Sequence, residues 1–171
     1  MKVIQTPNDY TCSSNEIPCF VAGGLQRCEW HNEFLNELNK RTLNHLVIYN
    51  PKRDGYDVNN LSLAEEQIKW EYNYLNKYVS DKYIFSMYFD NSESVQPICF
   101  YELGRYLEVM KNNDNLHNCI ISVHPKFSRK NDVIVQTRLA TNNLIKVNEI
   151  TPSQHAKKVI EVYNNMKYQL K

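Results

Sequence analysis

The amino-acid sequence predicts one α/β domain with a mainly parallel sheet. Short apolar runs alternate along the chain with longer amphipathic stretches, which is the pattern of strands and helices in turn. The apolar runs are continuous, as in strands that are buried on both faces of a parallel sheet. The length of 171 residues suits one domain, and the 42% of hydrophobic residues are enough to build a core.

The strands are predicted from the apolar runs and from the residues that end them. The run IPCFVA is closed by two glycines, LVIY is stopped by an Asn-Pro pair, and YIFSMYF leads into a polar loop. The predicted strands span residues 17–22, 46–49, 83–89 and 119–123, with a weak fifth strand at 144–147.

Helices are predicted where apolar side chains recur every three or four residues, at about 29–42, 62–78, 97–111 and 153–170, with a short helix at 132–142. Ser62 is expected to cap the second helix, with Glu65 at the capping-box position, and Pro97 suits the first turn of the third helix. Residues 1–16 are interpreted as an N-terminal extension with no part in the core, so that the domain spans residues 17–171.

Charge and hydropathy exclude several classes of partner. The chain has 20 Lys+Arg and 19 Asp+Glu, a net charge of +1, which gives no electrostatic reason to expect polymeric nucleic acid as a partner. No apolar run approaches the ~18 residues needed to cross a bilayer. The first residues also lack the apolar region of a secretory signal. We therefore expect a cytoplasmic protein with no membrane partner.

The five cysteines and five histidines give no signal for a metal or a cofactor. The cysteines form no C-x-x-C pair and fit no zinc spacing, and the histidines contain no H-E-x-x-H motif. An odd number of cysteines without a secretory signal is typical of reduced thiols in a cytosol. We expect free thiols, no metal site and no cofactor.

The predicted topology indicates where a ligand would bind, because open parallel sheets bind ligands in the crevice outside the carboxyl ends of their strands. The segments that leave the four main strands there are 23–27, 50–54, 90–96 and 124–127. Gly23 and Gly24 could let a ligand approach the backbone, or could simply close their strand. Lys52 and Arg53 could bind a phosphate or carboxylate, or could form a solvated turn.

Two carboxylates lie among aromatic residues, Glu102 in PICFYELGRYLEVM and Glu71 in AEEQIKWEYNYL. An ionised, positioned carboxylate is a suitable nucleophile for an anomeric carbon, because the transition state there has oxocarbenium character. Backbone N–H groups near the helix start could hold Glu102 ionised, and Glu71 could stabilise the sugar or manage a proton. Either residue could equally be a solvated charge on an amphipathic helix.

Five short motifs occur in the order found in one known family. They are FVAGG at 20–24 with Trp30 after it, NPKR at 50–53, QIKWE at 67–71, ELG at 102–104 and SVHPKFSRKNDVIVQT at 122–137. Together they resemble the nucleoside 2-deoxyribosyltransferase-like family over residues 18–140. The resemblance implies a flavodoxin-like three-layer sandwich with a five-stranded parallel sheet. It also implies a homodimer or higher homo-oligomer, in which neighbouring subunits help to complete the site.

The resemblance further implies cleavage or transfer of the N-glycosidic bond of a (deoxy)nucleoside or nucleotide. Glu102 would be the nucleophile, forming a glycosyl-enzyme ester that a second base or water resolves. Glu71 would be the second site residue, unless Asn73 takes its place because the stretch after Glu71 is about two residues longer than usual. The substrate-binding residues would be Gly23, Gly24, Arg27, Asn50, Arg53, Gln67, Trp70 and Tyr101, although Trp70 and Tyr101 could equally belong to the core.

Three alternatives remain open at this stage. A non-catalytic nucleotide-binding or nucleotide-sequestering module would keep the glycines and the aromatic walls but would not depend on Glu102. Transferase and hydrolase are not separated by the sequence, because they differ in how well the closed site excludes water. An NAD glycohydrolase shares the chemistry but needs a larger cleft.

Overall fold

The computed structural model describes residues 1–25, 27–53, 55–57, 59–77, 82–92 and 94–169. Within these residues six strands form one sheet, in which all neighbouring strands are parallel. The strands are β1 (Lys2–Gln5), β2 (Ile17–Gly23), β3 (Leu46–Asn50), β4 (Ile84–Phe89), β5 (Cys119–Val123) and β6 (Asn148–Glu149). The prediction of an α/β fold with a mainly parallel sheet is confirmed.

Five α-helices lie in the described part of the chain: α1 (Trp30–Asn39), α2 (Leu61–Lys77), α3 (Pro97–Asn112), α4 (Lys130–Ala140) and α5 (Pro152–Gln169). They occur where the helical periodicity predicts them, with ends shifted by a few residues; the predicted ends at 78 and 170 fall outside the described residues. None of the described helices is long and apolar enough to cross a bilayer.

The N-terminus of α2 corrects one prediction. The helix begins at Leu61, so Ser62 lies inside it and does not cap it. The side-chain Oδ1 of Asn60 instead accepts the backbone N–H of Leu63 at 3.2 Å, which is the hydrogen bond of an N-cap residue. Pro97 does occupy the first turn of α3, as predicted.

The strand order of the sheet is β1-β3-β2-β4-β5-β6. Without β1, this is the 2-1-3-4-5 order of flavodoxin-like doubly wound sheets. The chain passes from β2 to β3 on one side and then returns to β4 on the other, so the order reverses between β2 and β4. A binding crevice is therefore expected outside the carboxyl ends of these two strands.

Core side chains cover both faces of the sheet, because successive residues of a strand point to opposite faces. Phe20 and Ala22 of β2 belong to a cluster that includes residues of α2, α3 and α4. Cys19 and Val21 belong to a second cluster with residues of α1 and α5. The continuous apolar runs of the central strands therefore reflect burial on both sides.

Residues 1–16 contribute to the core, contrary to expectation. β1 pairs in parallel with β3 along its whole length, and Ile4 and Tyr10 pack against the core cluster that contains α2. The indole Nε1 of Trp70 donates to the backbone oxygen of Asn8 at 2.9 Å. The extension thus supplies an edge strand, and the sheet has six strands where the resemblance implied five.

The prediction of a weak strand at 144–147 is wrong, because these residues form no strand. The last strand, β6, comprises only Asn148 and Glu149, which pair with Ser122 and Val123 of β5. Ile145, the apolar residue on which the prediction rested, is buried in the core cluster of α2, α3 and α4 without being part of a strand.

All five cysteines have free thiols.

Candidate active site

A cavity of about 470 Å³, called here the carboxylate cavity, lies between α2 and α3 beside the backbone that follows β2. Its glycine wall is Gly23 and Gly24, and Tyr56 lies on the loop side. The helical residues that line it are Gln67, Ile68, Glu71, Tyr72 and Leu75 of α2, and Pro97, Ile98, Cys99, Tyr101, Glu102 and Arg105 of α3. The cavity therefore occupies the crevice that the strand order predicts.

The cavity brings together six of the residues singled out in the sequence: Gly23, Gly24, Gln67, Glu71, Tyr101 and Glu102. They come from three segments far apart in the chain, the end of β2, the middle of α2 and the first turns of α3. Both carboxylates of the sequence analysis are among them. The ring of Tyr101 is largely exposed at the cavity edge.

The other five predicted residues lie elsewhere. Trp70 is buried in the core, and Asn73 is exposed on α2 and does not line the carboxylate cavity. Asn50 is buried, and its Oδ1 accepts a backbone N–H two residues further on at 3.1 Å. Arg27 is exposed in a turn with φ +54°. Arg53 lines a smaller cavity of about 270 Å³ that adjoins the first.

The two carboxylates of the cavity are both harder to ionise than usual. The pKa of Glu102 is raised to about 8, mainly by burial and also by the charge of Glu71, while Arg105 opposes the shift. Burial also raises the pKa of Glu71 to about 7, against a hydrogen bond from Gln67. The shift of Glu102 is opposite to the expectation of a carboxylate held ionised by N–H groups. A pair of this kind holds protons near neutral pH, as acid and base catalysts do.

Gln67 holds Glu71 in place. Its Nε2 donates to Oε1 of Glu71 at 2.5 Å and to the backbone oxygen of Pro51 at 2.7 Å. Gln67 therefore fixes Glu71 against the loop that follows β3. The Oε1 of Gln67 is buried and has no hydrogen-bond partner among the described atoms.

The glycines form a cavity wall that has no room for side chains. At Gly23, where φ is +154°, a Cβ would lie 2.5 Å from the backbone oxygen of Tyr88. At Gly24, a Cβ would lie 2.7 Å from Sγ of Cys28 and 2.7 Å from Oε1 of Gln96. Close packing against neighbouring protein atoms therefore requires glycine at both positions, and both residues also line the carboxylate cavity.

Arg105 is a cavity residue that the sequence analysis missed. Its guanidinium carbon lies 4.6 Å from the ring centre of Tyr72, and its Nη2 donates to Asn76 at 2.9 Å. It is the one lining residue of α3 whose charge opposes the raised pKa of Glu102. A signal was present, because Ile98, Glu102 and Arg105 follow one another at spacings of four and three on one helix face.

Gly104 of the ELG motif does not face the carboxylate cavity. It lines a cavity of about 510 Å³ on the other side of α3, against α4, where Arg129, Asp132 and Gln136 also lie. No atom lies within 4 Å of a Cβ built at Gly104.

Within the described residues, no three His, Cys, Asp or Glu side chains are grouped so that they could hold a metal ion.

The fold and the site define an α/β protein with a parallel sheet and two carboxylates in one cavity at the crevice of that sheet. The family model described as nucleoside 2-deoxyribosyltransferase like matches residues 16–120, which is more than half of the chain. The chain belongs to the nucleoside 2-deoxyribosyltransferase-like family, as the order of its motifs indicated. The matched region contains both Glu71 and Glu102. No curated protein matches the chain.

Proposed function

We propose that this protein cleaves or transfers the N-glycosidic bond of a (deoxy)nucleoside or nucleotide, with Glu102 as the nucleophile. The observation that carries the proposal is that Glu102 and Glu71 line one cavity and interact electrostatically. Membership of the family supports N-glycosyl transfer as the class of reaction. The cavity also has the apolar and aromatic lining that a nucleobase requires.

In the first step, the carboxylate of Glu102 attacks the anomeric carbon, and the C–N bond breaks with its electron pair leaving on the base. A glycosyl ester forms, and the departing base takes a proton from Glu71. In the second step, water or a second base attacks the same carbon and expels the carboxylate of Glu102. Glu71 takes the proton that the attacking water or base loses, which restores both groups.

The neighbouring residues have supporting roles. Gln67 orients Glu71 through its 2.5 Å hydrogen bond. Arg105 favours the ionised form of Glu102. The exposed position of Asn73 supports Glu71 as the second site residue.

The test is a turnover screen with a matched pair of variants. Deoxynucleosides, ribonucleosides, their monophosphates and NAD are incubated with and without an acceptor base, and the products are separated by chromatography. Free base without an exchanged nucleoside identifies a hydrolase. Glu102→Gln should lose turnover by about a thousandfold or more, whereas Glu108→Gln, an exposed carboxylate on the same helix, should not.

The same experiment separates an enzyme from a binding module. If Glu102→Gln turns over substrate like the unmodified protein, Glu102 is not the nucleophile. If neither protein turns over any substrate but both bind a nucleotide in calorimetry, the protein is a nucleotide-binding or sequestering module of the same fold. Binding by both proteins with turnover only in the unmodified one supports the proposed enzyme.

A homodimer or higher homo-oligomer is the proposed assembly. Four apolar side chains, more than half exposed, surround the mouth of the carboxylate cavity: Ile68, Tyr72, Ile98 and Tyr101. A contiguous exposed apolar surface of this kind is typical of an interface. Sedimentation velocity measures the assembly, and Ile98→Asn should shift it towards the monomer. A monomer at all concentrations of the unmodified protein contradicts the proposal.

The two core clusters on opposite sheet faces support a three-layer arrangement.

A further inference from the structure

A second cavity adjoins the carboxylate cavity. It has a volume of about 270 Å³ and is lined by Lys52 and Arg53 of the loop that follows β3; we call it the basic cavity. Leu25, Tyr56 and Gln67 line both cavities. One ligand can therefore extend from the paired carboxylates to the two cations.

The basic cavity is positively charged on its described lining. Lys52 and Arg53 line it, and none of its other described lining residues is acidic. The side chain of Lys52 is 22% exposed and that of Arg53 is 16% exposed, so both cations are partly removed from water but still reachable from the solvent. A partly desolvated cation attracts an anion more strongly than one on an open surface.

The ion pairs that these two cations make leave them able to bind a ligand. Nη1 of Arg53 lies 2.6 Å from the half-exposed Glu66, and Nζ of Lys52 lies 3.4 Å from the largely exposed Glu29. Both acidic partners lie at the surface, where an ion pair contributes little to stability. A guanidinium has five N–H donors and an ammonium three, so donors remain for an anionic oxygen.

The loop that carries the two cations is held by hydrogen bonds. Nε2 of Gln5, at the end of β1, donates to the backbone oxygen of Lys52 at 2.5 Å. The backbone N–H of Lys52 donates to Oδ1 of Asn50 at 3.1 Å, and Nε2 of Gln67 donates to the backbone oxygen of Pro51 at 2.7 Å. A site fixed before binding loses less entropy when its ligand arrives.

We propose that Lys52 and Arg53 bind a phosphate group carried by the substrate, so that the preferred substrate is a phosphorylated nucleoside. The inference rests on the proposed function, because it extends the same ligand from the paired carboxylates into the basic cavity. Two adjacent cations match the charge of a phosphate monoester, and arginine can bind two of its oxygens at once. In this arrangement, Asn50 is a positioning residue for the loop.

The test compares each of the four common 2′-deoxynucleosides with its 5′-monophosphate and its 3′-monophosphate. The unmodified protein should have a kcat/KM about 10- to 100-fold higher for one monophosphate than for the parent nucleoside, since a hydrogen bond to a charged group contributes at that level. The double variant Lys52→Gln/Arg53→Gln should bring this ratio close to one. Lys69→Gln, an exposed lysine of α2 paired with Glu65, should leave the ratio unchanged.

Binding measured on the Glu102→Gln background separates this inference from the proposed function. There the monophosphate should bind at least tenfold more tightly than the nucleoside, inorganic phosphate should compete, and Lys52→Gln/Arg53→Gln should remove the difference. Equal binding or equal turnover of nucleoside and monophosphate overturns the phosphate site alone. Preferential binding with no turnover by the unmodified protein supports the phosphate site while the proposed enzyme fails. The single variants Lys52→Gln and Arg53→Gln replace the double variant if it does not fold by circular dichroism.

Discussion

Gln67 and Glu71 lie one turn apart on α2 and are joined by a hydrogen bond of 2.5 Å between Nε2 and Oε1. The same Nε2 also donates to the backbone oxygen of Pro51. One side chain therefore ties the second carboxylate of the site to the loop that follows β3. A substitution at Gln67 acts on both cavities, whereas a substitution at Glu71 or Lys52 acts on one.

The first prediction concerns the pH dependence of turnover. kcat/KM should rise as Glu102 loses its proton and fall as Glu71 loses the proton that the leaving base requires. Because the pKa of Glu102, about 8, lies above that of Glu71, about 7, the state with Glu102 ionised and Glu71 protonated is a minor one. It is most populated between about pH 7 and 8, and the narrow maximum should lie there. Steady-state kinetics across the neutral range measures the profile. A flat profile would contradict the assignment.

Removal of the Glu71 charge should shift this profile. In Glu71→Gln, the pKa of Glu102 should fall, because the charge of Glu71 contributes to its rise, whereas burial continues to raise it. The acidic limb of the residual activity should therefore move to lower pH. Glu65→Gln, an exposed carboxylate of the same helix that pairs with Lys69, is the control and should leave the limb in place. An unmoved limb in Glu71→Gln means that the two carboxylates are not coupled.

Glu102 should reduce the stability of the fold at alkaline pH. Its pKa is raised from the ordinary 4.5 to about 8 in the folded state, so the folded protein favours the protonated form. The stabilising effect of that proton is fully present below about pH 4.5 and is lost progressively as the pH rises to about 8. The Tm of Glu102→Gln relative to the unmodified protein should therefore rise with pH in differential scanning fluorimetry. Glu108→Gln should show no such trend.

Gly24, which follows β2, and Gly104, which lies within α3, should respond in opposite ways to substitution by alanine. Gly24→Ala places a Cβ 2.7 Å from both Cys28 Sγ and Gln96 Oε1, so it should destabilise the fold by about 1–3 kcal/mol. At Gly104, in the interior of α3, an added Cβ would have no atom within 4 Å. Gly104→Ala should therefore stabilise the fold by about 0.5–1 kcal/mol. Urea unfolding measures both. Equal effects would contradict the close packing at Gly24.

The N-terminal segment should contribute measurably to stability through Tyr74. Its hydroxyl donates to Oδ1 of Asp9 at 3.0 Å and accepts the backbone N–H of Tyr10 at 2.7 Å. Tyr74→Phe should therefore destabilise the fold by about 1–2 kcal/mol, because Asp9 and the N–H of Tyr10 lose a partner. Tyr168→Phe, on an exposed ring, is the control for the same chemical change. A loss in both variants would mean that the effect is not specific to this contact.

The sequence was sufficient for the central strands but not for the edges of the sheet. IPCFVA is apolar without interruption, and CIISV is so except for Ser122, because their strands are buried on both faces. β1 has the sequence KVIQ and is partly exposed, so it carries no continuous apolar signal. It becomes a strand because β3 offers an edge with the matching register, and such pairing between distant segments leaves no local trace.

The site was predictable in part for a similar reason. Glu71 and Glu102 were found because they belong to motifs, but their meeting depends on how α2 and α3 pack. Trp70 shares the core face of α2 with Tyr74, whereas Tyr72 shares the cavity face with Ile68. Because Trp70 and Tyr72 lie one residue to either side of Glu71, their spacing from Glu71 does not say which ring faces the cavity.

The parallel pairing of β1 has a practical consequence for anyone who modifies this protein. Gln5 pairs with Asn50 at the carboxyl ends of the strands, where the cavities lie. Lys2 pairs with Val47, towards the amino ends of the strands. A purification tag or fluorophore joined before Met1 would thus leave the molecule on the side away from both cavities. Trimming of the first five residues, by contrast, would remove the whole of β1 together with the amide of Gln5 that holds the backbone oxygen of Lys52, so the sheet would lose its edge strand and the loop its support.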